Sequence, residues 1–585
     1  MKSGSFKHVL RPVVIVSLAL LGATGCGLVE PGDYTLKTNE PPDTEITSGP
    51  KPGSTNSYFV TIAWKGIDLD GVVKGYTVSV DGRSLFTTKT DSTFRFTAAN
   101  KDEPHTISVA ARDNDGADDP TPATLTFTAT NVAPNTIIQV VGNPAPGATF
   151  GQGAVFTAVA VDDPDNGPEY TYRYKIDAGG QWSQWQSSPV FEFSLTSPFG
   201  LLPEGEHTFY AQARDNALAV DESPAEFRFV ASATVKPGVV LSALKNGAAF
   251  YPDSSAFSLA TGNTVSFSWA PTFNYAGGAS TGSRYRIDGG AWTEFSTEIA
   301  TLELTNVTPG THTFEVQYRD LAGKLSDIAL YRYTIVVATL NAGVLVVDDG
   351  NGQLAGRPPA TGDANVDNFY TQVLTAVGAR LTLWDYLAQG APTPKKGFGN
   401  YSSVIWQSDE ATANNTPRQL QLLGDYLTVG GKLWLTGWRQ INQIAGTTPV
   451  SNFNPAQANA PASYAFVWNY LGIASTRQTP GNFFDFNGAT GQAGYPNFAV
   501  DLAKNPIPSR PGLSPIDVFT VREGAQGIYT FNSASGNQDW QGAIVGVKHV
   551  GTNFRTVVFG FPLYHLNASD AQAVVRQVMS DFGEI

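Results

Sequence analysis

The sequence predicts a multidomain chain, with three antiparallel β-sandwiches followed by one α/β domain built on a doubly wound parallel sheet. Three observations carry this expectation. A nine-residue frame, HTISVAARD from His105, returns as HTFYAQARD from His207 and HTFEVQYRD from His312. After Asn341 the pattern changes from alternating strands to apolar runs interleaved with helical spacing. The single cysteine, Cys26, closes an N-terminal segment with the composition of an export signal.

Taken in order, residues 1–25 join Lys2, Lys7 and Arg11 to an apolar run from Val13 to Leu21, too short to stop in a membrane. The following Gly22-Ala23-Thr24-Gly25-Cys26 resembles the lipobox of bacterial lipoproteins, with Ala23 where that motif usually has Leu. The resemblance implies that Cys26 is diacylated and becomes the new N-terminus. With no second cysteine an internal disulfide is excluded, and lipidation accounts for a lone exported thiol. Gly27 is not the Asp that resembles an inner-membrane retention signal, so outer-membrane anchoring is expected. Residues 26–45 are polar and rich in Pro and Gly, as in a tether.

The three sandwiches are expected at 46–131, 132–232 and 233–339. Within each frame apolar and polar residues alternate, which is the period of a half-buried strand. Upstream of each frame lies a second shared element, GYTVSVDG, YRYKIDAGGQW and YRIDGGAW, carrying Asp81, Asp177 and Asp288. The unit recurs about every 100 residues, and short strands with turn signals at that spacing read as a sandwich. YRYKIDAGGQWSQW with LPEGEHTFYAQARDN resembles the triple-tyrosine domain found beside sensor propellers. VTIAWKGIDLDGVVKGYTVSVDG is similar to a fibronectin type III or related immunoglobulin-like module. The short junctions NVAPNT and ASATVKPG imply a semi-rigid rod.

Two ligand chemistries suggest themselves in the rod. Asp68, Asp70, Asp113 and Asp115 sit in acidic turns whose oxygens suit Ca2+, although none has the full spacing of a known calcium loop and solvated turns explain them as well. Trp182, Trp185 and Trp292 follow a hairpin and could stack on sugars or cover that hairpin. The repeated histidines fall one per module, which disfavours a shared metal site.

The C-terminal domain, 341–585, opens with VLVVDDG, a continuous apolar run as in a strand buried on both faces. It contains an insertion of about 440–545. VLVVDDG, the run ending SDE, GGKLWLTGW and VVFGFPLYHL together resemble the class I glutamine amidotransferase-like, flavodoxin-like fold, including trehalose-utilisation-like domains. Such amidotransferases use a cysteine after a strand, where this chain reads Leu435-Thr436-Gly437. Thiol chemistry is therefore excluded. Ligands bind at the carboxyl ends of such strands. Asp348, Asp349, Asp409 and His565 are the catalytic candidates there, with Thr436 beside them, and the structural alternative is helix capping.

The net charge is −14, and it becomes three units more negative without the basic residues of the signal. That excludes nucleic acid as a partner. The chain is expected to be a lipid-anchored envelope protein, more scaffold than enzyme, presenting a degenerate amidotransferase-like head to a surface glycan or envelope proteins. The alternatives are a surface hydrolase acting on a glycan through the strand-end carboxylates, and a plain adhesion spacer.

Overall fold

The computed structural model describes residues 38–96, 103–163, 169–349, 363–409, 415–507 and 509–585. Cys26 and the signal segment lie outside the described residues. Alternation places Ile107, Val109 and Ala111 in one core, and their counterparts Phe209, Ala211 and Ala213, then Phe314, Val316 and Tyr318, in the next two. The three frame strands, Pro104–Asp113, Gly205–Arg214 and Gly310–Asp320, each lie between two antiparallel neighbours. A second sheet of three or four strands closes each sandwich.

Two details depart from the sequence reading. Each sandwich contains one parallel pairing, in which a short strand such as Ser255–Phe257 runs alongside the last strand, so the sheets are not purely antiparallel. The first strand is Asp43–Ser48, which begins inside the segment read as tether, and Asn39 already donates to Asp113 at 2.7 Å. Ordering begins there because Thr44 and Ile46 alternate with exposed residues and pair along Phe59–Ile67.

The repeated histidine has a fixed job. His105, His207 and His312 bond through Nδ1 to Asp81, Asp177 and Asp288 at 2.7, 2.8 and 2.8 Å. The other carboxylate oxygen accepts the N–H of Thr106, Thr208 or Thr313. Each Asp sits at positive φ in a turn, so the pair clamps a strained turn to the start of the frame strand.

The C-terminal domain is organised by one mixed sheet, of 11 strands among the described residues. Five of them pair in parallel, in the order Leu381–Asp385, Val344–Asp348, Ser403–Ser408, Lys432–Gly437, Arg555–Phe559. Numbered along the chain, that is second, first, third, fourth, fifth. Val344 and Val346 face one core with the helices Asp363–Ala376 and Ala568–Phe582, while Leu345 and Val347 face another with Leu420–Thr428. Both faces are thus covered, which explains a run with no polar alternation. The segment read as an insertion extends this same sheet: Ala525–Ser533 and Ile544–Val550 add to it in antiparallel fashion. Its one expected helix is Ala462–Phe466, continued by a π-turn over Val467–Leu471.

The modules are stitched together by more than their linkers. Sandwiches two and three share the bridge Phe150 to Ala276, and a Cβ on Gly153 would lie 2.5 Å from the backbone of Ala322. Phe257 of sandwich three is 1% exposed and belongs to the core of the C-terminal domain. Around it Tyr251 donates to Asp425 at 2.6 Å, and Gln421 to the carbonyl of Ala249 at 3.0 Å.

Candidate functional site

The first and third parallel strands end side by side, and the chain leaves them for helices on opposite faces of the sheet. Such a switch point opens a crevice at the carboxyl edge. Asp348 and Asp349 close the first strand, and Gln407, Ser408 and Asp409 close the third. All five are buried.

Asp348 and Asp349 do not act together, because adjacent residues of an extended chain point to opposite faces. Asp349 accepts from the indole of Trp406 at 2.9 Å, from the backbone and side chain of Asn415 at 2.7 Å each, and from Thr416 N–H. Burial raises its carboxyl against these four donors. It anchors the turn Thr416–Arg418, which is the capping alternative rather than a catalytic one. Thr436 likewise donates to the carbonyl of Phe561 at 3.1 Å and joins two strand ends.

Asp348 faces the other side, where helix Asp363–Ala376 crosses the edge. One oxygen each from Asp348, Asp363 and Asp367 lies within 4.8 Å of the others, a grouping able to hold a cation. Burial, then the charges of Asp363 and Asp385, push Asp367 up to about 6. Gln407 donates to Asp348 at 2.6 Å and accepts the N–H of Asp409 at 2.9 Å, linking the two carboxylates.

Asp409 is fully buried. Its Oδ2 accepts from the hydroxyl of Tyr370 and the N–H of Tyr564, both at 2.9 Å, while Oδ1 has no hydrogen-bond partner among the described residues. Burial pushes its carboxyl up to about 7, against those bonds and the nearby Lys504 ammonium. A group poised there can hold or release a proton near neutrality. His565 is close by: Trp438 donates to the carbonyl of Asp409 at 2.7 Å, and its ring lies 5.4 Å from the imidazole. His565 Nδ1 bonds to the carbonyl of Lys504 at 2.8 Å.

The structure therefore brings Asp348, Asp409 and His565 to one side and turns Asp349 and Thr436 to structural work. The sequence reading missed Asp363, Asp367 and Tyr370. Their spacing, i, i+4 and i+7, was the available signal, since it puts all three on one helix face.

Each turn carboxylate proposed for Ca2+ has at least one oxygen in local hydrogen bonds, while Asp68 Oδ2 is buried with no hydrogen-bond partner among the described residues. Asp68 Oδ1 accepts from Asp70 and Gly71 N–H, and Asp113 Oδ1 from those of Asp115, Gly116 and Ala117. Asp70 accepts from Glu40, and Asp115 from Asn114. Asp68 and Asp113 thus close Asx turns on the N–H groups that follow them. The tryptophans are not bare sugar platforms either, because each has two cations over its ring. Trp182 has Arg173 and Lys175, Trp185 has Arg173 and Arg214, and Trp292 has Arg284 and Arg286, at 4.4–5.2 Å.

No known family's sequence profile matches the chain, and no curated protein matches it. Solved structures similar to it include the fibronectin(III)-like modules of CbhA from Clostridium thermocellum. These are 14% identical, spanning 33% of this chain and 97% of that one, with a TM-score of 0.15. Another is the FN1–FN3 region of chicken CNTN1, 11% identical over 50% of this chain and 99% of that one, TM-score 0.21. A third is a Ca2+-stabilized adhesin with which an Antarctic bacterium binds ice, 10% identical over 51% and 74%, TM-score 0.16. These neighbours are fibronectin III-like and adhesin repeat modules.

Proposed function

We propose that the chain is a lipid-anchored scaffold of the bacterial envelope, in which a rod of immunoglobulin-like modules presents a flavodoxin-like head away from the membrane. The observation that carries this reading is Phe257. A sandwich residue placed in the core of the next domain joins rod and head into one body, which a spacer bearing load needs and a freely tethered enzyme does not. The strand order second, first, third, fourth, fifth supports the flavodoxin-like assignment of the head. The lipobox-like run ending at Cys26 supports the anchor. Expression of Cys26→Ser tests it: labelled fatty acid should be lost from the chain, and the chain should leave the membrane fraction. Retention of both would overturn the anchor. Small-angle scattering of the full chain tests the rod, with a broad spread of module angles as the result against it.

The second reading, a hydrolase acting on a surface polymer, is favoured by Asp409. Its carboxyl, pushed up to about 7 by burial, and its link through Gln407 to the Asp348, Asp363 and Asp367 grouping supply a proton carrier beside an acidic cluster. Turnover of envelope glycans that disappears in Asp409→Asn, with the head still folded, would select this reading over the scaffold.

A further inference from the structure

Sandwiches two and three each carry a ladder of alternating guanidinium groups and aromatic rings on the outer face of the sheet that holds the repeated frame. In sandwich two it runs Trp182, Arg173, Trp185, Arg214, with contacts of 4.7, 4.5 and 4.4 Å. In sandwich three Trp292, Arg284, Phe295, Arg319 follow at 4.8, 4.9 and 4.4 Å. Arg173 alternates along its strand with Tyr172 and Tyr174, which face the core, so the ladder lies on the opposite face.

The ladders are built positions with unused capacity. A guanidinium has five N–H donors. Arg173, Arg214 and Arg319 each commit Nε, to Gln212, Thr171 and Thr281, and stacking holds the groups in place. Beside the ladder of sandwich three, Arg286, a second cation over Trp292, is paired with Glu315 at 2.5 Å. At the equivalent frame position sandwich two has Tyr210, so its cations are not neutralised in this way. Arg214 depresses the pKa of Arg173 after burial does, as expected of neighbouring like charges. Arg319 also lines a cleft of about 200 Å³ between the two modules, with Leu195 and Thr196 on its far wall.

These features run against the charge of the molecule, which is −14 overall. Two positive stripes on an acidic chain select for an anion locally instead of gathering polyanions over the whole surface. Cations alternate with rings in each ladder and the ladder recurs in the next module, which suits a polymer with repeated charges, and the rings between the cations offer apolar edges to sugar carbons. We propose that the two ladders form a docking surface for an acidic polysaccharide, whose carboxylates or sulfates pair with the uncommitted guanidinium N–H groups. This goes beyond the scaffold reading by naming a partner for the rod itself, and it requires neither the anchor nor the head.

The test is binding of the full chain to immobilised polygalacturonate, dextran sulfate and uncharged dextran, across a salt series. Binding to one or both acidic polymers, weakening with salt and absent on dextran, is expected; which polymer binds separates carboxylate from sulfate recognition. Arg173→Gln with Arg214→Gln should weaken it about tenfold, on the scale of two surface charge contacts, and Lys175→Gln by less. Lys236→Gln, at an exposed pair with Asp327, should leave it unchanged. Should the double variant misfold, Lys175→Gln and the salt series decide. Equal binding to dextran, no binding at low salt, or no effect of the ladder variants would overturn the proposal.

Discussion

The sandwiches and the C-terminal domain bury their carboxylates in opposite ways. Among the described residues, each aspartate with a shifted pKa in the sandwiches is lowered: Asp113, Asp118, Asp177, Asp253 and Asp288. Each one in the C-terminal domain is raised: Asp349, Asp367, Asp409, Asp425 and Asp517. In the sandwiches hydrogen-bond donors outweigh burial: Asn39 and backbone N–H groups at Asp113, Arg112 at Asp118, a His and a backbone N–H at Asp177 and Asp288, and the Ser255 and Thr393 hydroxyls at Asp253. At the sheet edge desolvation outweighs the donors. A lowered carboxyl gives stability that is present above its unfolded value and lost as pH falls through the folded one. A raised carboxyl does the reverse: the fold keeps a proton that the unfolded chain has released, so stability falls as pH rises from about 4 to the folded value. Acid should therefore loosen the rod and tighten the head.

Removing the bolt between the two regions would change most. Phe257→Ala should cost about 3–5 kcal/mol, as for other buried aromatic deletions, and in calorimetry of the full chain should separate the head transition from that of sandwich three. Their pH dependences would then be measured apart. If the transitions stay merged and unshifted, the ring is not what joins them.

Asp409→Asn comes next and sharpens the contrast from the head's side. The variant has no charge to bury, so its head should lose part of the fall in stability between pH 4 and 7. At pH 8 it should be more stable than the parent by on the order of 1 kcal/mol, and at pH 4 no more stable. Thermal melts at the two pH values check this, and equal pH slopes in parent and variant would remove Asp409 from the account. Asp409→Ala is the poorer probe, because it leaves the Tyr370 hydroxyl and Tyr564 N–H without their acceptor.

Much of this contrast was open to a reader of the sequence, and the limits have physical causes. The period of two in HTISVAARD gives the frame strand, since burial on one face is a local property. The companion Asp81, Asp177 and Asp288 stand out by their recurrence, but the bond to His105, His207 and His312 arises only when two strands pair. Asp348 and Asp349 look like a pair in VLVVDDG, yet strand parity separates them, and that parity was legible. The helix face of Asp363, Asp367 and Tyr370 was legible too. Phe257 was not, because SSAFSL reads as an ordinary strand and its burial depends on residues more than 80 positions away.

The smallest expected effect lies in the clamp, and it tests the sandwich half of the comparison. Asp288→Asn keeps an oxygen for the N–H of Thr313 and removes the anion facing His312. Burial opposes the charge on His312, but the bonds to Asp288 and the carbonyl of Thr308 raise its pKa overall. Its stabilising share is thus full below pH 6.5 and lost as pH rises through the folded value, while that of Asp288 is lost as pH falls. The pair is strongest in the window between. Asp288→Asn should cost about 0.5–1.5 kcal/mol there, the usual net worth of one hydrogen bond, because the amide still accepts from Thr313. NMR titration of His312 should move toward 6.5, and the loss should shrink on either side of the window. A loss that is the same at every pH would mean that this clamp holds by shape alone, and Asp288 would then have no part in the acid sensitivity of the rod.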